Sequence, residues 1–202
     1  MGEVVIYACD VGSIARNKFA WTSSTRGEAG SGDIEELVEE VVGDIKANQQ
    51  IAIGFECPLF IPCPEFSEDV GKARSGDGDR AYTASVGASA AMTGLSQVAW
   101  ILCAVHARCP EAEATTSWQT FIDNNVDLFI WEAFVTGKDK AADHIHDAYV
   151  AMKAFQKNIE RIEEASCVSC PNPVSLAGAM ILWSGMSDDL NLLHIPCITL
   201  RP

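Results

Sequence analysis

The stretch IAIGFECPL, residues 51–59, carries the reading of the fold. Its first five residues are an apolar run rich in β-branched and aromatic side chains, the pattern of a strand buried in a parallel sheet. The run ends on a carboxylate, Glu56, and then on Cys57-Pro58, where a proline without an N–H stops any central ladder. Buried glutamates are seldom unpaired, and neither Cys57 nor Pro58 brings a cation. Packing alone does not account for Glu56.

Two other hydrophobic runs end in the same way: VVIYAC meets Asp10 and DLFIW meets Glu132. In open α/β sheets the carboxyl ends of parallel strands gather along one edge, where ligands bind, so three such acids converge. Converging carboxylates repel and raise one another's pKa, and a divalent cation relieves the repulsion. A set of oxygen ligands suits Mg²⁺ or Mn²⁺. A further acid comes from HIHDAYVAM, residues 144–152, where Asp147 lies four residues after Asp143 and on the same helix face. The expected metal ligands are therefore Asp10, Glu56, Glu132, Asp147 and Asp143.

Three of these acids have a plainer alternative. Asp10 suits an Asx-type turn before Val11-Gly12, and Glu132 suits a surface acid beside Lys138 or Lys140. Asp143 suits a charge at a helix N-terminus. His144 and His146 are open to roles as ligand, proton carrier or neither, while His106 and His194 sit in apolar surroundings and receive no role.

Around these acids the chain reads as α/β. Residues 3–9 and 18–22 predict a hairpin, and TRGEAGSG (25–32) is too rich in glycine to read as its third strand. Asp33 is placed to cap an amphipathic helix over 33–48, and the prolines of CPLFIPCPEF (57–66) predict a loop. Helices are expected over about 84–108, 138–165 and 174–185, and a last strand over 195–200. The expected architecture is one domain over residues 1–202, a mixed sheet with helical crossovers and a C-terminal extension.

Composition bounds the function. With 202 residues and 48% hydrophobic content the chain can build one full core. A net charge of −14 from 28 acidic and 14 basic residues argues against broad, salt-driven nucleic-acid binding. No apolar run reaches the roughly 20 residues of a spanning helix, and MGEVVIYACD has no basic leader, so a cytoplasmic protein without a membrane role is expected. The eight cysteines read as reduced thiols. Cys167-Val-Ser-Cys170 has CxxC spacing but lacks the two further ligands of a structural zinc site.

In order and placement, these features resemble the ribonuclease-H-like superfamily: β1 ending in Asp10 before a glycine turn and a hairpin, an acid closing the next parallel strand, and a late helix bearing Asp147. CDVGS, FECPL, WEAF and HDAYVA are similar to motifs of domain-of-unknown-function family 429, a group of predicted ribonuclease-H-like nucleases, over most of residues 4–155. Glu56 departs from the Asp-x-Pro arrangement more usual there and is nearer to the Holliday-junction resolvases.

The resemblance implies a three-layer fold and a nuclease holding two Mg²⁺ or Mn²⁺ ions about 4 Å apart. Asp10 would bridge the ions, Glu56 and Asp147 would complete their shells, and Glu132 would ligate or orient water. Arg16, Lys18 and Arg74 are candidate phosphate contacts. The acidic charge favours a nucleotide or a nucleic acid presented by a partner. Two other classes compete: a metal- or nucleotide-binding regulatory module without hydrolysis, and an actin-like phosphotransferase, for which Gly12, Gly27, Gly30 and Gly32 make no phosphate loop.

Overall fold

A computed structural model describes residues 4–78, 82–83, 85–135, 140 and 143–202, with backbone only at 85 and 86. Its strands are β1 (Val5–Asp10), β2 (Ala20–Ser23), β3 (Ile51–Phe55), β4 (Phe60–Pro62), β5 (Ala114–Thr115), β6 (Leu128–Ala133), β7 (Pro173–Ser175) and β8 (Thr199–Leu200). Six of them form a mixed sheet in the order β2-β1-β3-β6-β5, with β8 also on β6. β1 and β2 are the antiparallel hairpin, and β1, β3 and β6 run parallel. β5 and β8 pair with β6, also in parallel.

The helices are α1 (Ile34–Lys46), α2 (Ser85–Arg108), α3 (Trp118–Asp123), α4 (His144–Asn158) and α5 (Leu176–Ser184). Their starts are capped as local chemistry directs. Asp33 accepts the N–H groups of Glu35 and Glu36, Ser117 that of Thr120, and Asp143 that of His146. Gly185, at φ 82°, closes α5 in the left-handed region that glycine tolerates.

Strand alternation divides the core into two layers. Val5, Tyr7 and Cys9, with Ile51, Ile53 and Phe55, face α1, α2 and α5. Ile6, Ala8, Ala52, Phe129 and Trp131 face the opposite way, onto Ala151, Met152 and Phe155 of α4 and Phe121 of α3. The Trp131 indole occupies the space over Gly54, where an added Cβ would stand 2.2 Å from the ring.

Register positions the site. Cys9 pairs with Phe55 and Phe55 with Glu132, so these three point to one face. The next residue of each strand, Asp10, Glu56 and Ala133, points to the other, where α4 lies.

Several expectations shift. CPLFIPCPEF holds the short strand β4, which pairs antiparallel with β7 in a separate ribbon; a proline is tolerated there because the ladder is only three residues long. β5 and α3 lie in a stretch for which no element was expected. The third hairpin strand is reduced to a single antiparallel bridge, Trp21 to Ser31. The helix expected from 138 begins at His144; Lys140 is not helical, and 138–139 and 141–142 lie outside the described residues.

The expectation that no segment reaches spanning length also needs correcting. Gly87–Arg108 is a helix long and apolar enough to cross a membrane by length and composition, with a mean hydropathy of 1.5. Its small neutral residues interrupt the apolar run without adding charge. Val98, Ile101, Leu102 and Val105 anchor its inner side in the core.

Candidate metal centre

Asp10 ends β1 with its side chain buried on the α4 face. Glu56 follows β3 directly, and its N–H donates to the Cys9 carbonyl at 2.9 Å, extending the parallel ladder by one residue. The loop after Asp10 is held tightly. A Cβ at Gly12 would stand 2.2 Å from the Lys18 carbonyl oxygen, and Gln97 of α2 donates to the Gly12 carbonyl at 2.5 Å.

The first turn of α4 brings the remaining groups. A Cβ at Gly30 would stand 2.7 Å from Cγ2 of Ile145, so the absence of a side chain there lets the helix start close to the hairpin. His144 Nδ1 lies 2.5 Å from Asp10 Oδ2. His144 and Asp147 are three residues apart on one helix face, and ligand atoms of Asp10, His144 and Asp147 all lie within 4.8 Å of one another. Lys140 Nζ stands 3.4 Å from Glu56 Oε1 and 3.3 Å from Asp147 Oδ2. The cluster borders a cavity of about 220 Å³, walled on its apolar side by Val11, Pro58, Phe134 and Val135.

Electrostatics follow from burial. Desolvation pushes the Asp10 carboxyl above its ordinary range, and the hydrogen bond with His144 opposes it. Glu56 is pushed up to about 9, first by desolvation and then by the charge of Asp10. The two carboxyls therefore titrate as a pair, both raised by burial. Among the described residues no N–H donor reaches the buried Glu56 Oε2, and the Glu56 carboxyl hydrogen-bonds with that of Asp10. Burial pulls the Lys140 ammonium down, but Glu56, Asp10 and Asp147 outweigh it and hold the group above its usual value.

Glu132 stands apart from this cluster. It is 1% exposed on the opposite face of the sheet, so it is neither gathered with Asp10 and Glu56 nor facing solvent beside a lysine. Arg74 grips it in a fork, Nη2 to Oε1 at 2.7 Å and Nη1 to Oε2 at 2.8 Å, and the Leu59 N–H donates to Oε2 at 2.8 Å. Arg74 also holds Asp77 at 2.9 Å and the Phe60 carbonyl at 3.1 Å, with its guanidinium 4.5 Å from the centre of the Phe60 ring. Arg74 is thus a buried clamp between the 60–77 segment and β6, not a surface cation free for phosphate. Arg16 and Lys18 are exposed.

Asp143 is an exposed N-cap that takes the His146 N–H at 2.9 Å and its ring nitrogen at 3.0 Å, which is the helix-terminus role and not ligation. The structure resolves the open role of His144 to a position on Asp10, and places Lys140, expected only as a surface neighbour of Glu132, on Glu56 and Asp147 instead. The His144 to Asp147 spacing was a usable signal. Lys140 precedes the helix and shares no periodicity with it.

All eight cysteines are free thiols, and burial pushes those of Cys9, Cys57 and Cys197 well up. Among the described residues, Cys167 and Cys170 join no group of three metal-ligating side chains. No protein family, no curated protein and no solved structure matches the chain.

Proposed function

We propose that the chain is a divalent-metal-dependent phosphodiesterase of ribonuclease-H-like type, acting on a nucleic acid or a nucleotide. The observation that carries this reading is the convergence of Asp10, Glu56, Asp147 and His144 at the carboxyl edge of the parallel strands. The strand arrangement around β1 and the placement of α4 across β1 and β2 support it.

The donor set fits a cation. Asp10, His144 and Asp147 present ligand atoms within 4.8 Å of one another, and among the described residues no N–H donor occupies the buried Glu56 Oε2. Asp10, Glu56 and Asp147 would supply oxygens and His144 a nitrogen, either directly or by fixing the Asp10 carboxylate. An imidazole in the set favours Mn²⁺ over Mg²⁺. A bound dication would supply Lewis acidity and a water of lowered pKa for in-line displacement at phosphorus. The chain's own part is to keep Asp10 oriented through His144 Nδ1 and to release the Glu56 proton as a cation enters. The apolar wall of the cavity limits water on the far side of the cluster.

A second reading, a metal-binding module without hydrolysis, is favoured by the commitment of Glu132 to Arg74, which leaves three carboxylates in the cluster, and by the charge of −14. Titration of the protein with Mn²⁺ and Mg²⁺ beside cleavage assays on RNA, DNA, hybrid and branched substrates separates the two. The phosphodiesterase reading expects tighter Mn²⁺ binding and metal-dependent cleavage. Binding without cleavage of any substrate selects the module, and absence of binding rejects both.

A further inference from the structure

We propose that Lys140 is the centre's internal counter-cation, filling the place of a divalent ion in the metal-free protein and leaving when the ion binds. The inference rests on the metal centre described above and adds an exchange step to it.

The geometry is that of a cation held between acids from two elements. Lys140 Nζ is nearly equidistant from Glu56 Oε1, at the end of β3, and Asp147 Oδ2, in the first turn of α4, at 3.4 and 3.3 Å. These oxygens belong to the donor set itself. A Mn²⁺ or Mg²⁺ ion on them would sit about 2.1 Å away, which leaves no room for an ammonium on the same two atoms. Two cations sharing that space would also repel strongly.

The side chain is built for departure. It is 44% exposed, whereas the Glu56 and Asp147 side chains are 15% and 6% exposed, so the ammonium reaches the acids from the solvent side. Lysine carries a compact charge on a flexible stem, suited to swinging outward without moving the backbone. Arg74 also lines the cavity but cannot substitute for Lys140, because its guanidinium is fully engaged by Glu132, Asp77 and the Phe60 carbonyl. The ammonium offsets part of the repulsion between the Glu56 and Asp147 acids before metal arrives.

The test uses the full chain with Mn²⁺ alone as the probe. Affinity is read by isothermal titration, and melting temperature with and without metal, for the wild type and for Lys140→Met, Lys140→Gln and Lys140→Arg. The exchange expects Met and Gln to bind Mn²⁺ on the order of fivefold more tightly, the scale of removing one partly exposed ion pair. It also expects a lower melting temperature for the metal-free neutral variants and a wider gap between metal-free and loaded forms. Arg should stay at wild-type affinity or below. Binding visible only in the neutral variants also supports the exchange. If the wild type binds and the neutral variants bind equally or more weakly, the exchange is overturned while the metal centre stands. If none of the four proteins binds, both fall.

Discussion

At Glu56 burial favours the protonated carboxyl over the form the unfolded chain would take at neutral pH. Its folded pKa is raised to about 9 from an ordinary 4.5, by burial first and the Asp10 charge second. A raised pKa stabilises the fold fully below about pH 4.5 and loses that contribution as pH rises toward about 9. The urea midpoint of the metal-free protein should therefore fall between about pH 5 and about pH 9. Glu56→Gln, which stays neutral throughout, should flatten that fall; an equal slope in the variant would place the titration elsewhere. Asp10→Asn keeps side-chain volume and should leave the circular dichroism spectrum unchanged while abolishing Mn²⁺ binding and any cleavage. Retained cleavage in that variant would remove Asp10 from the site. An acid closing a buried strand was legible in the residues 51–59 because apolar periodicity and a proline bracket it. The cation beside that acid was not, because Lys140 lies more than eighty residues away and meets Glu56 only in the folded chain.

For the elements, parity along β6 decided what the sequence pattern left open. DLFIW followed by an acid looks like IAIGF followed by an acid, yet the β6 ladder continues through Glu132 to Ala133. Glu132 is thus opposite Phe55 instead of Glu56, and a one-residue difference in strand end sends its side chain to the other face. There it joins the Arg74 clamp. Arg74→Met should destabilise the protein by about 3–5 kcal/mol in urea unfolding, because it leaves Glu132 and Asp77 buried without a cation; a loss below about 1 kcal/mol would show that the acids simply take up protons. Between α2 and the loop after β3, Gly94 presses on Cys57, whose Sγ would lie 2.3 Å from an added Cβ. Gly94→Ala should cost about 1–3 kcal/mol by overpacking, read as a lowered urea midpoint, and unchanged stability would mean that the buried thiol can turn aside. Helix α1 was readable to within two residues because its cap, stripe and charged face agree. The β4–β7 ribbon was not readable, since each strand gains its ladder only from a partner more than a hundred residues distant.

Across the whole molecule, 28 acids against 14 bases give a field that opposes compactness. Raising NaCl from about 50 mM to about 500 mM shortens the screening length severalfold and should raise the urea midpoint of the metal-free protein. A midpoint that falls would mean that local ion pairs such as Arg26 with Glu36 and Glu40 outweigh the net repulsion. The sequence by itself determined the α/β class, the parallel strands and the hairpin, the capped first helix and the awkward acids at Asp10 and Glu56. Those features follow from periodicity, capping and the cost of burying charge, all of which act over a few neighbouring residues. Only the tertiary structure decided which acids share a site. Register put Asp10 and Glu56 on the α4 face and Glu132 on the other, helix docking brought His144 and Asp147 to the first pair, and the segment before the helix brought Lys140. Both are long-range outcomes of how the layers pack, and no local stretch encodes them.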